Sequence, residues 1–197
     1  MSFEQEKKNK NMQPGIILQY FHWYLPNDGN LWKQIKDDAP RLRELGFSTI
    51  WFPPACKGSG GGYSEGYDPY DLYDLGEFDQ KGSVRTKYGT KQEYIDAINA
   101  VHETGMRAMV DIVLNHKAGG DEVEKVQVIK VDPDNRNKVI SAPFEIEAFT
   151  KFTFPGRQKK YSDFEWNYMC FTGVDYAYNL SENGIFRILN GYSDSWE

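Results

Sequence analysis

The sequence has only two cysteines, Cys56 and Cys170, set far apart and outside any CxxC spacing. That excludes a disulfide framework and removes the usual zinc signature. It has no basic stripe: 23 lysines and arginines stand against 29 aspartates and glutamates, for a net charge of -6 with both signs scattered. Nucleic acid and an anionic membrane are thereby excluded as main partners. No stretch reaches the roughly 18 apolar residues of a membrane span. The opening MSFEQEKKNKNMQPG is polar where a secretory leader would be apolar. These absences predict a soluble, cytoplasmic protein with reduced thiols. Aromatic residues, by contrast, are plentiful at 15%, and many fall in Gly- and Pro-rich stretches rather than periodic ones. Rings placed in loops offer flat surfaces for ligands such as sugars.

The chain is organised around residues 106–116, MRAMVDIVLNH. Residues 109–114 are apolar apart from Asp111 and follow a helical segment ended by Gly105, which predicts a buried parallel strand. Asn115 and His116 then place an amide oxygen and an imidazole at the strand's carboxyl end, where parallel sheets and barrels bind ligands. Residues 15–23, GIILQYFHW, repeat that order, apolar first and polar or aromatic last. Between them, Leu31, Ile35, Ala39, Leu42 and Leu45 recur at spacings of four and three. This predicts a helix with Asn30 as N-cap, Gly46 as its stop, and a kink or break at Pro40. Residues 49–52, TIWF, form the next strand, cut off by Pro53 and Pro54. Thr90 is expected to cap a second helix, with Tyr94, Ile95, Ile98 and Val101 on one face.

Residues 55–89 are far longer than an ordinary βα loop and rich in Gly, Tyr and Asp, a composition expected of a functional connection rather than a disordered one. Beyond Lys117 the βα rhythm stops. Short strands are expected in 123–131 and 138–140, with β-like alternation over 144–154, separated by turns at DPDN and PGR. Three regions result: a flexible tail at 1–14, an α/β region at 15–116, and a β-rich insertion at 117–197.

Taken together, these stretches resemble the α-amylase family of glycoside hydrolases, in particular the bacterial liquefying and cytoplasmic enzymes. The resemblance rests on LQYFHWYLPNDGNLW (18–32), IWFPPACKG (50–58), GYDPYDLYDLGEFDQKGSVRTKYGT (66–90) and DIVLNHKAGGDE (111–122), with FTFPGR and YSDFEW later. It implies a partial (β/α)8 TIM barrel, its first three strands and two helices, with a β-rich domain inserted after the third strand. A closed barrel takes roughly 250 residues. The implied substrate is an α-1,4-glucan. Tyr67 matches the aromatic that stacks on the sugar at the cleaved bond, and His116 the histidine that bonds a hydroxyl of the same sugar. Trp23 and Gln19 are expected to line the cleft. Asn115 matches a ligand of calcium, a cation that favours oxygen donors. Asp111 is expected to hold the site together, and Asp68, Asp71, Asp74, Glu77 and Asp79 to serve the long loop as turn and hydrogen-bonding groups.

Retaining glycosidases need two carboxylates about 5 Å apart. In the family these come with later barrel strands, so no catalytic residue is assigned here, and both are expected past Glu197. Most of the other calcium ligands are expected there too, which would make the carboxy-terminal remainder of the same protein a partner. Near Thr172 and Ser195, where some relatives carry acidic residues for further metal ions, this sequence has hydroxyls; Asp175 and Asp194 are the nearest substitutes. Two other functions remain open: a non-catalytic glucan-binding fragment, and a related α-1,6-glucosidase or transglycosylase on the same fold.

Overall fold

The computed structural model describes residues 15–189; the expected tail at 1–14 and the neighbourhood of Asp194 and Ser195 lie outside the described residues. The chain divides into two compact units, Met1–His116 and Lys117–Glu197.

The first unit is a βαβαβ series. Strands β1 (Ile16–Gln19), β2 (Phe47–Phe52) and β5 (Arg107–Val110) form one parallel sheet in the order β1-β2-β5. Helices α1 (Leu31–Glu44) and α2 (Lys91–Glu103) cross between them. These are the three strands and two helices the sequence implied. The helices pack on one side of the sheet around Trp32, whose ring lies 5.8 Å from Phe52, 5.3 Å from Tyr88 and 4.9 Å from Tyr94. Ile35, Ile50, Ala97 and Val101 complete a fully buried core.

Helix α1 runs unbroken through Pro40, against the expected interruption. Pro40 sits on the exposed face, so the carbonyl deprived of its helical partner can turn to water. Asn30 stands at the N-cap but in helical conformation and makes no capping bond; its own N–H is taken by the Asp28 carboxylate at 3.0 Å. Gly46, at φ +95, ends the helix as expected, bonding back to Arg43. Thr90 caps α2 with a full capping box to Glu93.

The predicted buried strand at 109–114 needs correction. Strand β5 ends at Val110, and Ile112 and Leu114 are 61% and 68% exposed. Ile17 and Met109 are exposed as well. The reason is that the two helices of this unit cover a single face of its sheet; among the described residues of this unit no layer covers the other.

The long connection after β2 is well ordered. It holds a small hairpin, β3 (Lys57–Gly58) with β4 (Pro69–Asp71), and closes around Lys57, which is fully buried. Lys57 Nζ donates to the carbonyls of Phe78 at 3.1 Å, Ser83 at 2.5 Å and Val84 at 2.7 Å, and lies 3.5 Å from Asp74. The other oxygen of Asp74 accepts the N–H groups of Gly76, Glu77 and Phe78, and Gln80 bridges Asp74 to Asp71. Asp71 and Asp74 are thus structural acceptors, as their turn positions predicted.

The second unit is a four-stranded antiparallel sheet in the order β7-β6-β9-β8, with β6 Glu122–Val131, β7 Phe144–Lys151, β8 Gly173–Ala177 and β9 Glu182–Ile188. Val126, Val128, Ile146, Ala148, Ala177, Phe186 and Ile188 pack as its core. The expected strand at 138–140 reduces to a single bridge, Val131 to Val139, because the turn bonds of Asp132 and Asn135 fold the chain back too tightly for a ladder. Strands β8 and β9 were not anticipated; Gly184 interrupts the alternation that would have marked β9.

Candidate functional site

The carboxyl ends of the parallel strands in the first unit carry the polar and aromatic groups. Gln19 is the last residue of β1, and the chain then turns outward through Tyr20, Phe21, His22 and Trp23. Phe21 is fixed edge-on against Trp51 of β2 at 5.6 Å and 88°. His22 Nδ1 accepts the Tyr24 N–H at 3.2 Å, which leaves the proton of the neutral ring on Nε2. The long connection returns Tyr67 to this end, its ring nearly parallel to that of Trp23, 6.1 Å between centroids and 15° between planes.

Tyr67 is tied at two points. Its hydroxyl donates to Asp111 Oδ2 at 2.7 Å, and its carbonyl oxygen lies 2.7 Å from His116 Nε2, which must therefore carry the proton. Burial and then the bond to Asp111 push the Tyr67 hydroxyl up to about 12. The ring is thus a neutral, immobilised surface at ordinary pH.

Gln19, Trp23 and Tyr67 line one cleft of about 310 Å³, together with Phe21, His22, Glu65 and Tyr88. Of the residues named from sequence, these three come together there. His116 is exposed and reaches the site through the Tyr67 backbone, not the cleft wall. The Gln19 amide donates to Phe21 O at 2.9 Å, shaping the turn as well as the wall. Asn115 is exposed and away from the cleft lining. Among the described residues no three His, Cys, Asp or Glu side chains converge as a metal site. Calcium takes 6–8 oxygen donors, and one amide is far short of that, so the described residues do not fit the ion by themselves.

Sequence reasoning passed over Phe21, His22, Glu65 and Tyr88 as lining residues. Phe21 and His22 follow directly from the strand-end rule. Glu65 and Tyr88 are placed only by folding: Tyr88 OH donates to Glu65 O at 2.9 Å, and Lys87 Nζ lies 2.7 Å from Glu65 Oε1. Burial pushes the Tyr88 hydroxyl upward as well.

Residues 4–181 match the family model described as alpha amylase, catalytic domain. The chain is 45% identical to the cytoplasmic alpha-amylase of Escherichia coli K12 over 94% of its own length and 38% of that protein's. It is 47% identical to the alpha-amylase of Bacillus licheniformis, over 93% of the chain and 35% of the relative. It is 43% identical to the glucan 1,4-alpha-maltohexaosidase of Bacillus sp. strain 707, again over 93% and 35%. The chain therefore spans little more than a third of the length of these relatives. Among solved structures, an alternansucrase in complex with isomaltotriose superposes with a TM-score of 0.63 at 26% identity, over 75% of this chain and 14% of that one. No helix among the described residues is long and apolar enough to cross a membrane.

Proposed function

The chain belongs to the alpha-amylase catalytic-domain family, and from that premise we propose that its first unit positions sugar in a retaining endo-hydrolase of α-1,4-glucan. The observation that carries this reading is the near-parallel pair Trp23 and Tyr67, with Tyr67 held at both its hydroxyl and its carbonyl. A flat ring fixed in this way covers the apolar face of a glucose unit without losing side-chain freedom on binding. Asp111 and His116 then have defined parts. Asp111 orients the Tyr67 ring, and His116 fixes its backbone; with its Nε2–H given to the Tyr67 carbonyl, only Nδ1 is left to accept from a sugar hydroxyl.

In this reading the two carboxylates that break the bond, one as nucleophile and one as acid/base, come from outside residues 1–197. Asn115 contributes one oxygen to a calcium ion whose other ligands also lie outside the described residues, and nothing in the positioning role above passes through that ion. The cytoplasmic setting extends from the Escherichia coli relative's name. The alpha-amylase and glucan 1,4-alpha-maltohexaosidase names of the relatives support hydrolysis of an α-1,4-glucan.

The test is reducing-sugar release from soluble starch by the longest native form of the protein. Tyr67→Ala and His116→Ala should each lower kcat/KM by roughly 10- to 100-fold, the scale of a misplaced substrate, with little change in thermal midpoint. Normal activity in both would sink the assignment. Residues 1–197 alone should release sugar at background.

A further inference from the structure

Within the cleft, Glu65 supplies the one carboxylate among the described lining residues. Its backbone is pinned from two sides. Tyr88 OH bonds its carbonyl at 2.9 Å, and the next residue, Gly66, sits at φ +91 where a Cβ would meet Pro54 Cβ at 2.7 Å. Its side chain is held too: Oε1 is 2.7 Å from the ammonium of Lys87, whose side chain is only 4% exposed, while that of Glu65 remains 27% exposed.

A carboxylate has about four acceptor positions, and the lysine uses one oxygen. Oε2 is the oxygen not paired with Lys87, and Glu65, on its fixed backbone, lines a cleft whose other walls are Phe21, Trp23, Tyr67 and Tyr88 with Gln19 and His22. Charge decides what it suits. Lys87 already balances Glu65, so the site is close to neutral and gains little from a cationic ligand. A neutral polyol does better, since its hydroxyls donate to the carboxylate while its ring covers the aromatic wall.

We propose that Glu65 is a specificity-determining residue of the cleft, accepting a hydrogen bond from a hydroxyl of the glucose unit that lies against Tyr67 and Trp23, with Lys87 as its positioning partner. The inference rests on the glucan reading above. It adds that recognition at this unit is directional as well as apolar, so the cleft selects a sugar whose hydroxyl faces Glu65.

Calorimetric titration of the full protein with linear α-1,4-glucan of six units, and with its monodeoxy analogues, tests it. Glu65→Gln should weaken the parent oligosaccharide by about 5- to 10-fold, since a neutral acceptor makes about half the bond of a charged one. One deoxy analogue should lose more against the parent protein than against Glu65→Gln, the two losses differing by about that same factor, a coupling that a merely structural role would not produce. Because Glu65→Ala would strand a buried ammonium, Glu65→Ala/Lys87→Met serves as the second variant; having no acceptor, it should bind parent and deoxy oligosaccharide alike. If every analogue loses equally in parent and variant, the Glu65 assignment is overturned while the glucan reading stands. If Tyr67→Ala also leaves binding unchanged, the glucan reading falls with it.

Discussion

The connection after β2 and the antiparallel sheet of the second unit are both well ordered, but by opposite means. The sheet closes over an apolar core in which Val128, Ile146, Phe186 and Ile188 have no exposure at all. The connection has two short strands and one turn of 3-10 helix, and its centre is a charged lysine with three carbonyls and a carboxylate around it. Apolar burial is non-directional and tolerates repacking, so it suits a sheet whose register the backbone ladder already sets. A buried ammonium is costly unless nearly every donor is satisfied, so it tolerates few chain paths. The connection that carries Glu65, Tyr67 and Tyr88 is held by the more demanding device.

The comparison can be broken at Lys57. Lys57→Met keeps most of the volume but leaves three carbonyls and Asp74 without their partner, and should cost about 3–5 kcal/mol. Urea unfolding of the parent and variant measures it; a loss under about 1 kcal/mol would mean that the polar network is not what orders the connection. In the sheet, Ile146→Ala should cost about 2–5 kcal/mol through cavity formation. It should leave the cleft intact, so glucan affinity should match the parent's in native conditions; a matching loss of affinity would dissolve the contrast between the two regions.

The smallest expected effect concerns pH. The folded state holds the Tyr67 proton up to about 12, against 10.0 for an ordinary tyrosine, through burial and the bond to Asp111. The stability this bond contributes is therefore fully present below pH 10 and is lost as pH rises toward 12. Asp111→Asn removes the charged acceptor and should bring the Tyr67 step down, read as tyrosinate absorbance in a comparison with Tyr67→Phe. An unmoved step would show burial alone to be responsible.

Much of the first unit was legible because its signals are local. Spacing of three and four placed both helices, Gly46 and Gly105 marked their ends, and Thr90 with Glu93 is a capping pair three residues apart. Where local rules failed, a longer-range term had won. Pro40 was tolerated because it faces solvent, and the apolar run at 109–114 did not become a buried strand because only one face of its sheet is covered. In the site, Gln19 and Trp23 followed from their place at a strand end. Glu65 did not, since its meaning depends on Lys87, 22 positions later, and no periodicity links the two.

The double tether on Tyr67 also bears on the order in which the protein folds. Its hydroxyl and carbonyl are fixed by residues 44 and 49 positions further along the chain. Contacts that close such long loops form after local ones, because loop entropy must be lost before they give anything back. The helices and the Lys57-centred connection can organise early, with Tyr67 already near its final path but free to swing. The Tyr67 ring becomes rigid only when the strand leading to Asp111 docks. If the Trp23–Tyr67 pair holds sugar as proposed, that binding should be among the last properties recovered during refolding, lagging behind the return of helical signal.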